Sequence, residues 1–273
     1  MLDVNQVNEI AKSRCIKYRK RILGISQQIS ALHMAPAFSC VEIVDCIYNF
    51  LMKDTETHEL RDVFVMSKGH GCMIQYVILE EKGILPKEDL DEFGKDGGRL
   101  GVHPDYGLPG IEASTGSLGH GLSLSVGMSY ADKIKGQNNM TYCVVSDGEL
   151  QEGSTWEALL MASTLGLNNL VAFVDNNNFI SIGKTSESFP HFYPLTDKFI
   201  AFGWEVYTVD GHNSGQIYEA VMKRSGIKPC IIICNTTKGK GVSFMESQAI
   251  WHYRSPSPDE YKVALQEIEE GIK

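Results

Sequence analysis

The chain predicts an α/β fold: a single doubly wound, mostly parallel sheet with helices on both faces, formed by residues 1–273 as one domain. Three observations carry that expectation. Short apolar runs rich in β-branched residues occur at 62–67, 142–145, 170–174, 204–209 and 230–235, as expected of strands buried on both sides. Segments of helical periodicity separate most of them, as parallel crossovers require. Each run also leads into His, Asp, Asn or Lys, with glycine close by in four of the five, and in an open α/β sheet those ends face the ligand crevice.

Composition sets further bounds. A chain of 273 residues can bury a substantial core. With 43% hydrophobic and 22% charged residues it has an ordinary globular make-up. A net charge of −9 argues against nucleic acid or an anionic membrane as partner. The apolar runs are too short to span a bilayer, and the polar start MLDVNQVNEIAKSRC lacks a signal-peptide core. Seven cysteines, with no CxxC pair, point to buried thiols in a reducing, cytoplasmic setting.

Taken in order, residues 1–24 predict an amphipathic helix whose Arg14, Lys17, Arg19, Lys20 and Arg21 form a solvated charged face. Pro36 then marks a loop containing His33, with Ser39 as the N-cap of a helix over 41–51. The strand at 62–67 terminates in Lys68-Gly69-His70-Gly71, where glycine lets backbone approach a ligand closely. A helix to about residue 82 and an acidic surface helix over 86–96 follow. Residues 94–121 are dense in Gly and Pro yet hold His103, Asp105 and Tyr106; an ordered loop of that length is commonly functional. The helix after Gly119 is rich in small residues, including Ser123, Ser125, Gly127 and Ser129.

The stretch from Thr141 to Ile182 is the centre of the chain. The strand at 142–145 breaks at Asp147-Gly148-Glu149, a helix carrying Trp156, Leu159 and Ala162 follows, and the strand at 170–174 ends in Asp175-Asn176-Asn177-Asn178. Asp147 and Asn177 lie thirty positions apart, about one βαβ unit. Their oxygens can therefore converge on one hard cation, Mg²⁺ or Ca²⁺. A helix N-terminus just after Gly148 would add backbone N–H groups suited to a diphosphate.

Beyond it, the strand at 204–209 ends in Asp210-Gly211-His212-Asn213, a helix runs over 214–225, and the strand at 230–235 leads into Thr236-Thr237-Lys238-Gly239-Lys240-Gly241. That turn lacks P-loop spacing. A final helix is expected over 258–272, with Asp259 and Glu260 in its first turn.

SDGELQEG followed by NLVAFVDNNN resembles the thiamine diphosphate signature, and its flanks resemble transketolase. The first position of the motif is Ser146 where glycine is usual. The resemblance implies the thiamine diphosphate-binding fold, in its diphosphate-binding domain. It also implies that Asp147, Asn177 and the main-chain oxygen of Phe179 ligate the metal, with Gly148 and Glu149 in the cofactor site. ALHMAPAFSCVEIVDCIY is similar to the family's SGHxGGxLS segment, placing His33 on the catalytic histidine, although Ala35 and Pro36 replace the glycines. Ser67-Lys68-Gly69-His70 matches S-x-GH, whose histidine contacts the diphosphate. GRLGVHPDYGLPGIEASTGSLGHG matches a segment in which His103 faces the sugar and Gly116 and Leu118 line the aminopyrimidine. By the same resemblance His252 contacts the diphosphate or bridges to substrate, and Glu152 and Glu157 are interface acids between active sites.

The activity implied is transfer of a two-carbon ketol unit from a ketose, phosphorylated or otherwise anionic, to an aldose, with imidazoles moving protons at the reacting carbons. The family's activating glutamate sits on a second, pyrimidine-binding domain, for which this length leaves no room. A C-terminal partner chain in an α2β2 assembly is therefore expected. The alternatives are another thiamine diphosphate component, such as a deoxyxylulose-type synthase or a 2-oxo acid decarboxylase or dehydrogenase subunit, and a non-catalytic binding subunit. A dinucleotide binder is disfavoured because no GxGxxG follows a strand. The absence of HxxxH and HExxH argues against zinc.

Overall fold

The computed structural model describes residues 2–53 and 62–271. The first helix, α1 (Val4–Ile25), is capped by Asp3, whose carboxylate accepts the N–H groups of Asn5 and Gln6. Two short helices follow, α2 (Met34–Ser39) and α3 (Val41–Cys46), the latter widening into a π turn over Ile47–Leu51. Then come β1 (Val63–Met66), α4 (Met73–Glu81) and α5 (Lys87–Asp91). A long loop leads to α6 (Gly121–Ile134), β2 (Thr141–Ser146), α7 (Gly153–Thr164) and β3 (Leu170–Asn176). The chain continues through α8 (Thr185–Ser188), α9 (Thr196–Ala201), β4 (Glu205–Asp210), α10 (Ser214–Lys223), β5 (Cys230–Asn235) and α11 (Pro258–Glu270). Among the described residues no helix is long and apolar enough to cross a membrane.

The five strands form one sheet in the order β1-β2-β3-β5-β4, every pairing parallel. Alternating side chains feed two separate cores. Tyr142, Val144, Val171, Phe173 and Ile232 face the layer holding α1, α3 and α4, whereas Cys143, Val145, Ala172, Val174 and Ile231 face the layer holding α6, α7 and α9. Both faces are covered, which is why the strands read as continuous apolar runs. Because all strands point one way, residues 67–70, 147–149, 177–179 and 236–238 emerge at one end of the sheet. The register sets Ser146 opposite Asp175 and Asp175 opposite Cys234, so these ends are nearly level.

Several local expectations are corrected. The stretch around Pro36 is helical: Pro36 sits in the first turn of α2, where its missing N–H has no intrahelical carbonyl to reach. His33 therefore occupies an N-cap position, and Ser39, far from capping a helix, gives its hydroxyl to Asp175 at 2.7 Å. The acidic helix is only five residues long, since Gly94 and Gly97 turn the chain with positive φ. No α-helix begins at Gly148. Glu149 turns inward to accept from Ser67 Oγ and the Gly119 N–H, tightening the chain into a 3₁₀ turn, and α7 starts at Gly153. The charged face of α1 is not uniformly solvated either: Arg19 is buried and forked onto Glu42, and Arg14 onto Asp45. The last helix ends at Glu270; Ile272 lies outside the described residues.

Candidate active site

Four loops bring histidines together above the sheet end. His33 comes from the start of α2, His70 from the turn after β1, His103 from the long loop, and His252 from a 3₁₀ turn at Ala249–Tyr253. The ring of His33 lies 5.7 Å from His70, 5.5 Å from His103 and 5.4 Å from His252, centroid to centroid, and His70 lies 5.3 Å from His252. Two glycines permit this crowding. A Cβ on Gly69 would stand 2.7 Å from the backbone nitrogen of Gly116, and one on Gly116, at φ 154°, would stand 3.0 Å from the His103 ring. The loops carrying His70 and His103 thus touch backbone to backbone.

The histidines wall a cavity of about 450 Å³, whose lining also includes Gly116, Leu118, Gly148, Gln151, Phe179 and Ile180; that is the size of a small-molecule site. Burial, reinforced by His103, Lys238 and Lys68, lowers His33 to about 4; burial, reinforced by Lys238, lowers His252 to about 3. His70 and His103 are also lowered by burial, with Lys68 adding to the effect at His70. All four are therefore neutral at pH 7, each offering one N–H donor and one acceptor. The same shifts set an acid limit on stability. Unfolded imidazoles take protons below their ordinary 6.5 while the folded ones refuse them until about 4 and 3. Stability present above pH 6.5 should thus fall as the pH drops through that window. In a pH series of melting temperatures, the double variant His33→Gln/His252→Gln should show a shallower fall than the parent.

Beneath Gly148 lies a layer of acid, amide and ammonium groups. Asp147 is fully buried; its Oδ2 accepts from Tyr193 at 2.7 Å and Thr185 at 3.1 Å, while its Oδ1 is buried without a partner. A Cβ on Gly148 would come within 3.5 Å of the Phe179 carbonyl oxygen, so that oxygen stands next to the acid-bearing turn. The Asn177 amide is oriented from both ends: its NH₂ donates to Ser39 and Asp175, each at 3.1 Å, and its oxygen accepts from Phe179 N–H at 2.9 Å. Further back, Asp175 is held by Lys68, Thr236 and Ser39.

The donor set of an orphaned carboxylate oxygen, an oriented amide oxygen and a carbonyl oxygen suits a hard divalent cation. Among the described residues no group of three or more His, Cys, Asp or Glu forms an alternative metal site. Buried polar atoms left without partners, His33 Nδ1, Gln151 Nε2, Asp147 Oδ1 and Glu149 Oε2, surround this region, and such groups in a folded protein call for a bound polar ligand or water.

Of the residues expected from sequence, His33, His70, His103, His252, Gly116, Leu118, Gly148 and Phe179 line the cavity. Asp147, Asn177 and Glu149 lie behind its wall. Glu152 and Glu157 are exposed, beside and on α7, outside the cavity. Sequence reasoning gave no role to Lys68, Asp175 or Lys238. Lys238 is buried, 3.0 Å from His252 Nδ1 and over the Phe179 ring at 5.3 Å, and burial with Lys68 lowers its ammonium to about 8. Its basic, glycine-rich turn was the available signal.

Residues 12–266 match the family model of the transketolase thiamine diphosphate binding domain. The chain belongs to the transketolase family. It is a transferase by that membership, and its cofactor is thiamine diphosphate. Among its transketolase relatives, it is 38% identical to one of the named subunits of the apulose-4-phosphate transketolase of Phocaeicola vulgatus, over 94% of this chain and 93% of that one. It is 39% identical to the 6-deoxy-6-sulfo-D-fructose transketolase subunit SqwG of Clostridium sp., over 92% of this chain and 93% of the relative. Among solved structures, the transketolase of Campylobacter jejuni superposes with a TM-score of 0.89 at 27% identity, over 96% of this chain but 43% of that protein. The chain thus spans less than half of the solved transketolase and nearly all of the two relatives named as subunits.

Proposed function

We propose that this chain is the diphosphate-binding half of a two-chain transketolase that moves a two-carbon ketol unit from an anionic ketose to an aldose. The observation that carries the reading is the cluster of four neutral histidines above an acid–amide layer with an unpartnered carboxylate oxygen. In this reading Asp147, Asn177 and the Phe179 carbonyl hold a divalent metal, Mg²⁺ or Ca²⁺. His70, His252 and Lys238 present donors to the diphosphate, and Gly116 and Leu118 line the space for the aminopyrimidine. When bound, thiamine diphosphate supplies an electron sink for the transferred carbons. His33 and His103 hold and move protons at the sugar's carbonyl and hydroxyl oxygens, for which neutral rings with both a donor and an acceptor are suited.

The same reading assigns a C-terminal, pyrimidine-binding partner chain in an assembly with two copies of each chain. Relatives covered almost end to end are named as subunits, which supports a partner. So do the large apolar side chains left exposed on α6 and α7, Leu124, Tyr130, Ile134, Leu160 and Met161, the last two one turn beyond the exposed Glu157. The two relatives are named for a sugar phosphate and a sulfonated sugar, which fits an anionic substrate class. Mixing the purified chain with its partner and assaying ketose donors against pyruvate tests the proposal. Ketol transfer should appear only in the mixture and only with ketoses. Activity of the chain alone, or a preference for pyruvate, would sink it.

A further inference from the structure

A relay outside the cavity, buried at Arg19 and Glu42 and partly buried at His212, ties α1, α3 and the loop after β4 to the Thr236–Gly241 turn. Arg19 forks onto Glu42 at 2.6 and 2.9 Å, gives a third N–H to Phe38 O at 3.1 Å, and directs its Nε to Lys240 O at 3.0 Å. Glu42 Oε2 also faces His212 Nδ1 at 3.0 Å, and His212 Nε2 faces the Thr237 N–H at 2.8 Å. Burial works to raise the Glu42 carboxyl, but Arg19 and His212 overcome it and bring it down to about 2, so it is an ionised acceptor. An amide N–H can only donate, so His212 Nε2 must accept and Nδ1 must carry the proton that goes to Glu42. Each ring nitrogen has one partner, and the tautomer follows from the backbone it meets.

The residue after Thr237 is Lys238, whose ammonium stands 3.0 Å from His252 and 3.4 Å from the Ile180 carbonyl. The turn is held elsewhere by Gly239 N–H to Ala35 O at 3.1 Å and Ser247 N–H to Lys238 O at 2.9 Å. Among the described residues, three side chains contact its backbone: His212 accepts from Thr237 N–H, Arg19 donates to Lys240 O, and Glu246 accepts from Gly241 N–H at 3.1 Å; only His212 meets the residue next to Lys238 on its N-terminal side. We propose that His212, held by Glu42 and Arg19, is a positioning residue that fixes the Thr236–Gly241 turn and thereby aims Lys238 at the diphosphate corner of the cavity. The second half of this rests on the cofactor reading above; the first does not.

Two polar variants separate a positioning role from simple space filling. Glutamine at 212 places its amide near the Nε2 position and can accept from Thr237; asparagine is shorter and reaches only Glu42. Hydrogen exchange followed by mass spectrometry should show faster exchange at 236–241 in His212→Asn, and parent-like exchange in His212→Gln, with both melting within a few degrees of the parent. Titration with Mg²⁺ and thiamine diphosphate, in the presence of the partner chain, should show affinity lower by about tenfold in His212→Asn, the effect of one lost hydrogen bond, and restored in His212→Gln. Equal exchange in the two variants overturns the relay. Faster exchange with unchanged affinity overturns its link to Lys238. A parent chain that binds no thiamine diphosphate defeats the cofactor reading and leaves the exchange result standing. Should His212→Asn fail to fold, ¹⁵N spectra of the parent decide the matter: Nδ1 protonated and Nε2 bare is expected, and the opposite tautomer refutes the relay.

Discussion

Asp147→Asn should weaken retention of thiamine diphosphate in the presence of Mg²⁺ by roughly a hundredfold or more while leaving the metal-free chain no less stable above pH 7. The carboxylate is fully buried, with one oxygen occupied by Tyr193 and Thr185 and the other without a partner. Burial, aided by the charge of Asp175, raises its pKa to about 6, against the pull of the Tyr193 hydrogen bond. A raised carboxyl means the folded chain holds the proton longer than the unfolded one. The associated stability is present below the ordinary value of 3.8 and lost as pH rises through about 6. At neutral pH the metal-free chain therefore carries a destabilising charge, up to about 3 kcal/mol at 1.36 kcal/mol per unit. On the proposed metal reading a divalent cation bound to Asp147 would reverse that cost, because the ion favours the ionised ligand. Asparagine keeps an oxygen for Tyr193 and Thr185 but removes the charge. Calorimetric titration should show affinity reduced by roughly a hundredfold or more, and melting at pH 8 without metal should occur at or above the parent temperature. Cofactor binding at parental strength would remove Asp147 from the metal site.

Lys68→Met should produce the largest loss of stability. The Lys68 and Asp175 side chains are 1% and 0% exposed and form an ion pair, with Lys68 also donating to Pro36 O at 2.9 Å. Asp175 collects further donors from Ser39, Thr236 and Asn177. Removing one member of such a pair strands a charge in the interior, which typically costs about 3–5 kcal/mol. Urea unfolding should show that loss, and Lys68→Met/Asp175→Asn should recover part of it, because the stranded charge is gone. A loss below about 1 kcal/mol would mean that water reaches the pair.

The parallel sheet and the His, Asp and Asn residues at its strand ends were legible because local signals carried them. A short apolar run interrupted by Asp147-Gly148 or Gly69-His70 has few alternatives to a buried strand meeting a crevice. What escaped was long-range. Lys68 and Asp175 are separated by 107 positions, and nothing beside either residue distinguishes a buried ion pair from two solvated charges. Arg19 looked like part of an exposed basic run; only the packing of α3 against α1 shows that its guanidinium is needed by Glu42. Pro36 looked like a helix breaker because its position within a turn, which decides whether its missing N–H matters, depends on where α2 starts.

The seven cysteines, all buried, have a practical consequence. Burial raises the pKa of each of their thiols, so the reactive thiolate is scarce in the folded chain. An alkylating reagent can mark them only when the structure opens, and the rate of marking then counts openings. Cys40 between α2 and α3, Cys143 in β2 and Cys230 in β5 sit in different parts of the fold. Mapping which is modified first would give a time-ordered record of how the molecule comes apart, with and without its ligands, using only the cysteines already in the chain.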